Sequence, residues 1–121
     1  MIIHEQVLHP SLIRDYHAHL YYNKDNIEEA RQLADTIHNE YGVKIGTFHQ
    51  KPVGPHPVWS CQLSISIDTF AQTIPWLLLN HGTIDVFVHA NTGDDLIDHT
   101  QYIMWIGKAY DLKLSIFKPK L

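Results

Sequence analysis

Apolar and polar side chains alternate in three stretches of the chain, and this two-residue period predicts β-strands with one apolar and one polar face. The stretches are residues 16–22, 58–67 and 84–89. A further strand is predicted for residues 43–49, just before a loop rich in proline. The first 15 residues have little periodicity, which indicates an arm or loop with a short strand as an option at residues 1–7.

Apolar residues recur at helical spacing, every three or four positions, in three other stretches. The first is residues 27–41, and Gly42 is the type of residue that ends a helix. The second is residues 69–81, where Pro75 predicts a kink or a restart of the helix. The third is residues 94–110.

The order strand, helix, strand, strand, helix, strand is typical of the ferredoxin-like, split βαβ arrangement in the α+β class. It predicts a four-stranded antiparallel sheet with helices on one face, plus an extra C-terminal helix at residues 94–110. In the strand order 4-1-3-2 we expect strands 1 and 3 to be parallel and strand 4 to run against strand 1. The tail, residues 113–121, adds an edge strand or an arm. All 121 residues are expected to form a single domain.

Four histidines fall on, or next to, the sheet face that points away from the helices. His17 and His19 alternate with apolar residues in the first strand, and His89 ends the strand at residues 84–89. His56 lies between two prolines, just before the third strand. The expected topology brings these positions to one edge of the sheet, so we expect the four imidazoles to lie close together.

Such a cluster indicates a metal site, because imidazole is the commonest protein ligand for first-row transition metals. His17 and His19 present two ligands on one strand face, and His89 on the neighbouring strand completes a set of three. His56 is then a further ligand or an acid/base group. His99, at the start of the third helix, is a proton-transfer residue or one that orients a ligand.

The carboxylates near this cluster are alternatives to a mostly histidine ligand set. Asp94 and Asp98 are held in reserve as ligands, although Asp94 is also placed to cap the third helix and Asp98 to lie exposed on it. Asp85 has the strand parity of His89 but lies too far along the strand. The alternative without a binding function is that the whole cluster is a polar, ligand-free sheet face.

Three segments resemble the DOPA 4,5-dioxygenase family, which is known from fungal pigment synthesis. They are YHAHLYY at residues 16–22, GPHPVWSCQLSI at residues 54–65 and HANTGDDLIDHTQYIMWIG at residues 89–107. The resemblance covers about residues 14–110, and it implies an α+β fold and extradiol cleavage of a catechol such as DOPA by non-haem Fe(II) and O2. Zinc or another divalent ion is an alternative in the purified protein. The residues for which it implies a role are His17, His19, His56, His89 and His99.

These roles are divided as follows. The predicted metal ligands are His17, His19 and His89, and the predicted catalytic acid/base groups are His56 and His99. The predicted substrate contacts are Tyr21 and Phe87, which would pack on the ring, and Arg14, which would bind a substrate carboxylate. Trp59 has the parity of the core and is the weakest candidate for a ring contact.

Two rival functions are compatible with this fold. One is a cofactor-free or haem-handling monooxygenase of the dimeric α+β barrel type, which leaves the high histidine content, ten residues, unexplained. The other is a non-catalytic module that binds a metal or a small ligand. Metal analysis, followed by Fe(II) reconstitution with a catechol and measurement of oxygen uptake, distinguishes the three.

Composition narrows the class of protein further. The net charge is -4 and the nine Lys and Arg residues form no long cluster, so nucleic acid is not an expected partner. No apolar run has the length of a membrane span, and the N-terminus lacks the pattern of a signal peptide. A single cysteine, Cys61, excludes an internal disulfide and fits a cytoplasmic location. We also expect a homodimer, because a sheet with helices on one side leaves Tyr21 and Phe87 on an open face.

Overall fold

Residues 7–117, the part described by the computed structural model, form a five-stranded antiparallel sheet in the order β2-β3-β1-β4-β5. The strands are β1 (Asp15–Tyr22), β2 (Lys44–Ile45), β3 (Trp59–Ile65), β4 (Asp85–Asn91) and β5 (Ile103–Ile106). The helices are α1 (Ile27–Tyr41), α2 (Phe70–Asn80) and the short α3 (Asp95–Asp98). Apart from Val7, the optional strand at residues 1–7 lies outside the described residues, as does the end of the tail at residues 118–121.

The core lies between one sheet face and the two long helices. Alternate residues of β1, namely Ala18, Leu20 and Tyr22, pack there against α1 and α2. Trp59 also packs against this core, as its strand parity predicts. The predicted helices on one face, and the predicted division of β1 into an apolar and a histidine face, are therefore confirmed.

The extra C-terminal helix predicted for residues 94–110 is wrong. Only Asp95–Asp98 is helical, and Ile103–Ile106 forms β5, which pairs antiparallel with β4. A short apolar run such as IMWI fits both helical and strand spacing, so the pattern alone does not decide between them. Pairing decides it, because without β5 the strand β4 would be an edge with unpaired backbone groups. The predicted four-stranded sheet is corrected to five strands.

The predicted direction of strand 3 is also wrong. β1 and β3 are antiparallel, with Tyr22 opposite Trp59 and His17 opposite Ser64. The start of β3 therefore lies at the end of β1, far from His17. The second strand is shorter than predicted, since only Lys44–Ile45 of residues 43–49 is paired.

The second face of the sheet is covered by the chain's own C-terminal segment, residues 107–117. The amide of Lys113 donates a hydrogen bond to the carbonyl of Pro55, at 2.8 Å. Leu114–Phe117 forms a 3₁₀ turn, not the edge strand offered as one possibility for the tail. Tyr21 and Phe87 are 2% and 0% exposed in the single chain. The open face on which the expected homodimer depended is thus closed around these two residues, and the homodimer itself stays a prediction.

Within residues 7–117 no helix is both long enough and apolar enough to span a membrane.

Candidate metal centre and active site

Three histidines converge on the sheet face opposite the helices. His17 and His89 are directly paired across β1 and β4, and His19 lies two residues further along the same face of β1. One ring nitrogen from each of the three lies within 4.8 Å of the others. His19 and His89 are buried, whereas His17 is partly exposed. The predicted convergence of His17, His19 and His89 is therefore confirmed.

The spacing of these nitrogens fits one transition-metal ion. The Nε2 atoms of His19 and His89 are 3.1 Å apart. Metal–imidazole bonds of about 2.0–2.1 Å place two adjacent ligand nitrogens about 3 Å apart. A ring nitrogen of the partly exposed His17 lies within 4.8 Å of both. The three nitrogens thus lie close enough together to be candidate ligands of one metal ion.

Burial keeps these ligands neutral. Loss of hydration lowers the pKa of His89 to about 4 and also lowers the pKa of His17. For His19, loss of hydration and then the neighbouring imidazoles lower the pKa well below its usual value. A metal binds only the neutral imidazole, so all three are in the ligand form at neutral pH.

Two hydrogen bonds orient the ligand rings. His89 Nδ1 lies 3.1 Å from the carbonyl oxygen of Ala90. A carbonyl only accepts, so Nδ1 carries the proton and Nε2 keeps its lone pair for a metal. The side-chain amide of Gln62 lies 3.3 Å from His17 Nε2 and donates to it, and a metal ion bound at this nitrogen would replace that hydrogen bond. Gln62 has the predicted parity, but its contact with His17 was not foreseen.

His56 reaches the cluster from a loop, not from the sheet edge that the predicted topology implied. Its ring centroid lies 4.1 Å from that of His19. Its Nδ1 lies 2.7 Å from the hydroxyl of Tyr21. Burial raises the pKa of Tyr21, so the phenol stays protonated and donates to Nδ1. The ring proton of neutral His56 is then on Nε2, and loss of hydration lowers the pKa of this histidine to about 4.

His99 lies on the opposite side of the cluster. Its ring centroid is 4.1 Å from that of His89, and Phe117 packs near its other side at 4.6 Å. Its Nδ1 donates a hydrogen bond to the carbonyl of Asp95, at 2.7 Å. The Nε2 of His99 therefore has a free lone pair, the reverse of the tautomer at His56.

Asp94 and Asp98, the carboxylates considered as alternative ligands, form hydrogen bonds with other groups. Asp94 accepts a hydrogen bond from the amide of Ile97 and caps α3. Asp98 is 1% exposed, so its predicted exposure is wrong. Its two oxygens accept hydrogen bonds from the amide and hydroxyl of Thr92, at 2.8 and 2.6 Å. Asp98 thus fixes the turn that carries His99.

The predicted substrate contacts do not form one surface. Phe87 packs against Trp105, with 4.6 Å between ring centroids, and Tyr21 packs against Tyr110 at 5.1 Å. Arg14 is exposed, and its guanidinium lies over Gly93 in the turn after β4. Trp105 and Tyr110, which cover the buried pair, were not among the predicted site residues, because residues 94–110 were read as one helix.

The sequence matches the Dopa 4,5-dioxygenase family over residues 16–116, a range that contains all five clustered histidines. The chain belongs to this family. The predicted resemblance is thereby confirmed, and the family match also extends into the C-terminal segment that covers the site.

Two relatives and one solved structure are similar to this Dopa 4,5-dioxygenase family chain. It is 30% identical over 119 residues to DOPA 4,5-dioxygenase of Amanita muscaria, covering 91% of this chain and 52% of the relative. It is 35% identical over 115 residues to an uncharacterised 21.2 kDa protein of Botryotinia fuckeliana, covering 85% and 63%. The chain therefore spans between about half and two thirds of the length of these curated relatives.

The solved structure is the crystal structure of a candidate dioxygenase from Nostoc punctiforme. It superimposes on this family member with a TM-score of 0.88 at 31% identity, covering 91% of this chain and 96% of that one. The mixed fold, with its antiparallel sheet and helices on one face, is thus shared across nearly the full length of both chains.

Proposed function

We propose that this protein is a metal-dependent dioxygenase that opens the ring of a catechol next to its two hydroxyl groups. The observation that carries the proposal is the set of three neutral histidines, His17, His19 and His89, whose nitrogens lie within 4.8 Å of one another. Membership of the Dopa 4,5-dioxygenase family and the similarity to a dioxygenase of Amanita muscaria support the same chemistry.

The three histidines would hold a divalent metal ion, with Fe(II) as the natural candidate and zinc or another ion as a substitute in the purified protein. Bound there, Fe(II) would bring the diol and O2 together and allow electrons to pass between them. A set of three protein ligands suits this role, because it leaves coordination positions for both reactants.

His99 is placed to remove a proton from the diol. Its Nε2 has a free lone pair, since Nδ1 is held by the carbonyl of Asp95. The ring lies next to ligand His89 and is partly exposed, so it can accept a proton and pass it to water. A general base needs this combination of a free nitrogen, closeness to the reacting group and a route for the proton.

His56 is placed to donate a hydrogen bond to a bound reactant. Tyr21 donates to its Nδ1, which leaves the N–H at Nε2 as the donor on the side of the ring away from Tyr21. At 5% exposure it is shielded from bulk water. The two histidines thus flank the candidate metal centre with opposite tautomers, one with a nitrogen free to accept a proton and the other with an N–H that can donate a hydrogen bond.

The overall reaction needs no outside reductant. Both atoms of O2 enter the product, the carbon–carbon bond beside the diol breaks, and the catechol supplies the electrons. The burial of His19 and His89, at 5% and 1% exposure, limits the access of water to their ring nitrogens.

Anaerobic reconstitution with Fe(II), followed by a panel of catechols and air, tests the proposal. We expect oxygen uptake that matches the amount of a yellow, ring-opened product. Metal binding without turnover on any catechol would favour a binding module instead. Absence of metal binding, together with unchanged behaviour of His17→Ala and His89→Ala, would favour the cofactor-free monooxygenase.

Replacement of Tyr21 by phenylalanine should slow catalysis without weakening metal binding. Tyr21→Phe removes the hydroxyl that fixes the proton of His56 on Nε2. We expect kcat to fall by about 10- to 100-fold, the range typical of general acid–base contributions and their orienting partners. The measurements are steady-state oxygen uptake over a range of pH and the affinity for Zn²⁺. Equal kcat in both proteins, or an equal loss of metal affinity, would contradict this role.

A further inference from the structure

A cavity of about 250 Å³ lies between β5 and the C-terminal segment, next to His99. The apolar side chains that line it are Ile103, Trp105, Leu112 and Leu114. His99 is the histidine among its lining residues, and the ring of His99 contacts that of ligand His89. The cavity therefore borders the candidate metal centre on its His99 side.

We infer that this cavity binds the aromatic ring of the substrate, and that Asp111 at its rim favours ring substituents that carry a positive charge. The inference rests on the proposed function and adds to it a substrate class and a specificity residue. It also transfers the ring contact from Tyr21 and Phe87, which are buried, to the residues that cover them.

The size and walls of the cavity fit one aromatic ring. Its volume is just below the roughly 300–1,000 Å³ of typical small-molecule sites, which suits a single ring with a short substituent. Two of its lining residues, Trp105 and Tyr110, are aromatic and lie 6.0 Å apart between ring centroids. The two rings contact each other and are partly exposed, so they offer aromatic surface against which a further ring can pack.

The polar groups of the cavity orient the ring. The hydroxyl of Thr100 already donates to the carbonyl of Leu96, at 2.7 Å. The Nε2 of His99 has a free lone pair, because its Nδ1 is bonded to the carbonyl of Asp95, and it can accept a hydrogen bond from a ligand. A catechol whose diol faces His99 would direct its other end towards residues 110–112 and the solvent.

A larger cavity, of about 460 Å³, is a weaker candidate for this role. It is lined by Tyr21, Asp85 and Tyr110 among others, and none of the five clustered histidines lines it. Cavity volume by itself would select this larger cavity, but the candidate catalytic histidines do not line it. Tyr110 lines both cavities and separates them.

The charge at the rim points to a cationic substituent. Asp111 is exposed, and it is the charged residue among those that line the smaller cavity. Behind Tyr110 lies a second carboxylate, Asp85, which accepts a hydrogen bond from the Tyr110 hydroxyl at 2.7 Å. Within the described residues neither carboxylate forms an ion pair. The ammonium of Lys108 lies 5.0 Å from the centroid of the Tyr110 ring but, in the part of the chain that the structure describes, forms no ion pair with either carboxylate. An ammonium group on the ring substituent would therefore have Asp111 as a free partner.

Filling the cavity tests the ring site, and titration of metal-free protein with 4-nitrocatechol gives a readout that does not depend on turnover. Leu112→Trp should weaken binding at least about ten-fold, since even one excess methylene group can cost about 10- to 200-fold. The matched control is Leu79→Trp on α2, where the side chain is 83% exposed, and it should bind as the parent does. Equal affinity in Leu112→Trp and the parent would overturn the inference.

A second variant covers the case in which Leu112→Trp does not fold. Leu114→Ala enlarges the cavity and should shift the affinity ratio towards 2,3-dihydroxynaphthalene over 4-nitrocatechol by at least about three-fold. An unchanged ratio would count against the ring site. If these effects appear but no catechol is turned over, the ring site stands and the proposed dioxygenase function fails. If turnover occurs and neither variant changes binding, the function stands and the ring site fails.

The charge preference is tested with two catechols that differ in the sign of their substituent, 4-(2-aminoethyl)catechol and 3,4-dihydroxyphenylacetate. The parent should prefer the amine, and Asp111→Asn should reduce that preference in kcat/KM, or in affinity if turnover is absent, by about two- to five-fold. Asp35→Asn, an exposed change on α1, is the matched control and should leave the ratio unchanged. A parent that prefers the acid would overturn this part of the inference.

Discussion

His19→Ala should lose both its metal ion and its oxygen uptake, the largest single effect expected in this protein. His19 is buried, and its Nε2 lies 3.1 Å from that of His89 at the centre of the cluster. Loss of residues that merely orient a metal ligand typically weakens metal binding by about 10- to 100-fold, so loss of a ligand should cost at least about 100-fold. Competition with a chelator measures the affinity for Fe(II) and Zn²⁺, and an oxygen electrode measures turnover.

The matched control is His38→Ala, because His38 is an exposed histidine on α1, away from the cluster. It should keep the metal affinity and the activity of the parent. His19→Gln, which preserves more volume, separates loss of a ligand from loss of packing. A His19→Ala protein that binds metal as the parent does would show that the cluster is a hydrogen-bonded network without a metal role.

The metal-free protein should lose several kcal/mol of stability as the pH falls from about 6.5 to about 4. Burial lowers the pKa of His56 and His89 to about 4, whereas both have a pKa near 6.5 when unfolded. Above pH 6.5 both histidines are neutral in the folded and in the unfolded chain, so they do not change the free energy of unfolding. Between the two values only the unfolded chain binds the protons, which favours unfolding by about 3 kcal/mol for each histidine. Urea denaturation at a series of pH values measures this.

His56→Gln provides the comparison for this pH dependence. The glutamine carbonyl can still accept the hydrogen bond from Tyr21, but the side chain does not titrate. Its stability should fall less steeply between pH 6.5 and pH 4 than that of the parent. Parallel curves for the two proteins would mean that His56 is protonated as easily when folded as when unfolded.

The histidine face of β1 could be predicted from sequence because a two-residue period leaves little freedom. Once Ala18 and Leu20 face the core, His17 and His19 must face away from it. The same parity places His89 on the shared face of β4. These positions depend on local alternation, and local alternation is what a sequence displays directly.

β5 and the C-terminal segment that covers the histidine face of the sheet could not be predicted in this way. Ile103–Ile106 forms β5 because it pairs with β4. The spacing of the apolar residues in this segment does not indicate that pairing. The prediction that His56 lies near the other histidines is correct, but it was based on parallel β1 and β3 strands, and these strands are antiparallel. Its contact with Tyr21 depends on the course of a proline-rich loop. Both features arise from long-range contacts, which periodicity does not report.

The hydrogen bond from Lys113 to Pro55 joins the loop of His56 to a segment more than fifty residues later in the chain. During synthesis the ribosome releases His17 and His19 early, His89 much later and Lys113 later still. Before Lys113 is synthesised, the C-terminal segment cannot cover the clustered histidines, and they are open to solvent. Closure of the candidate site is therefore expected to follow translation of Lys113, which comes after all five clustered histidines.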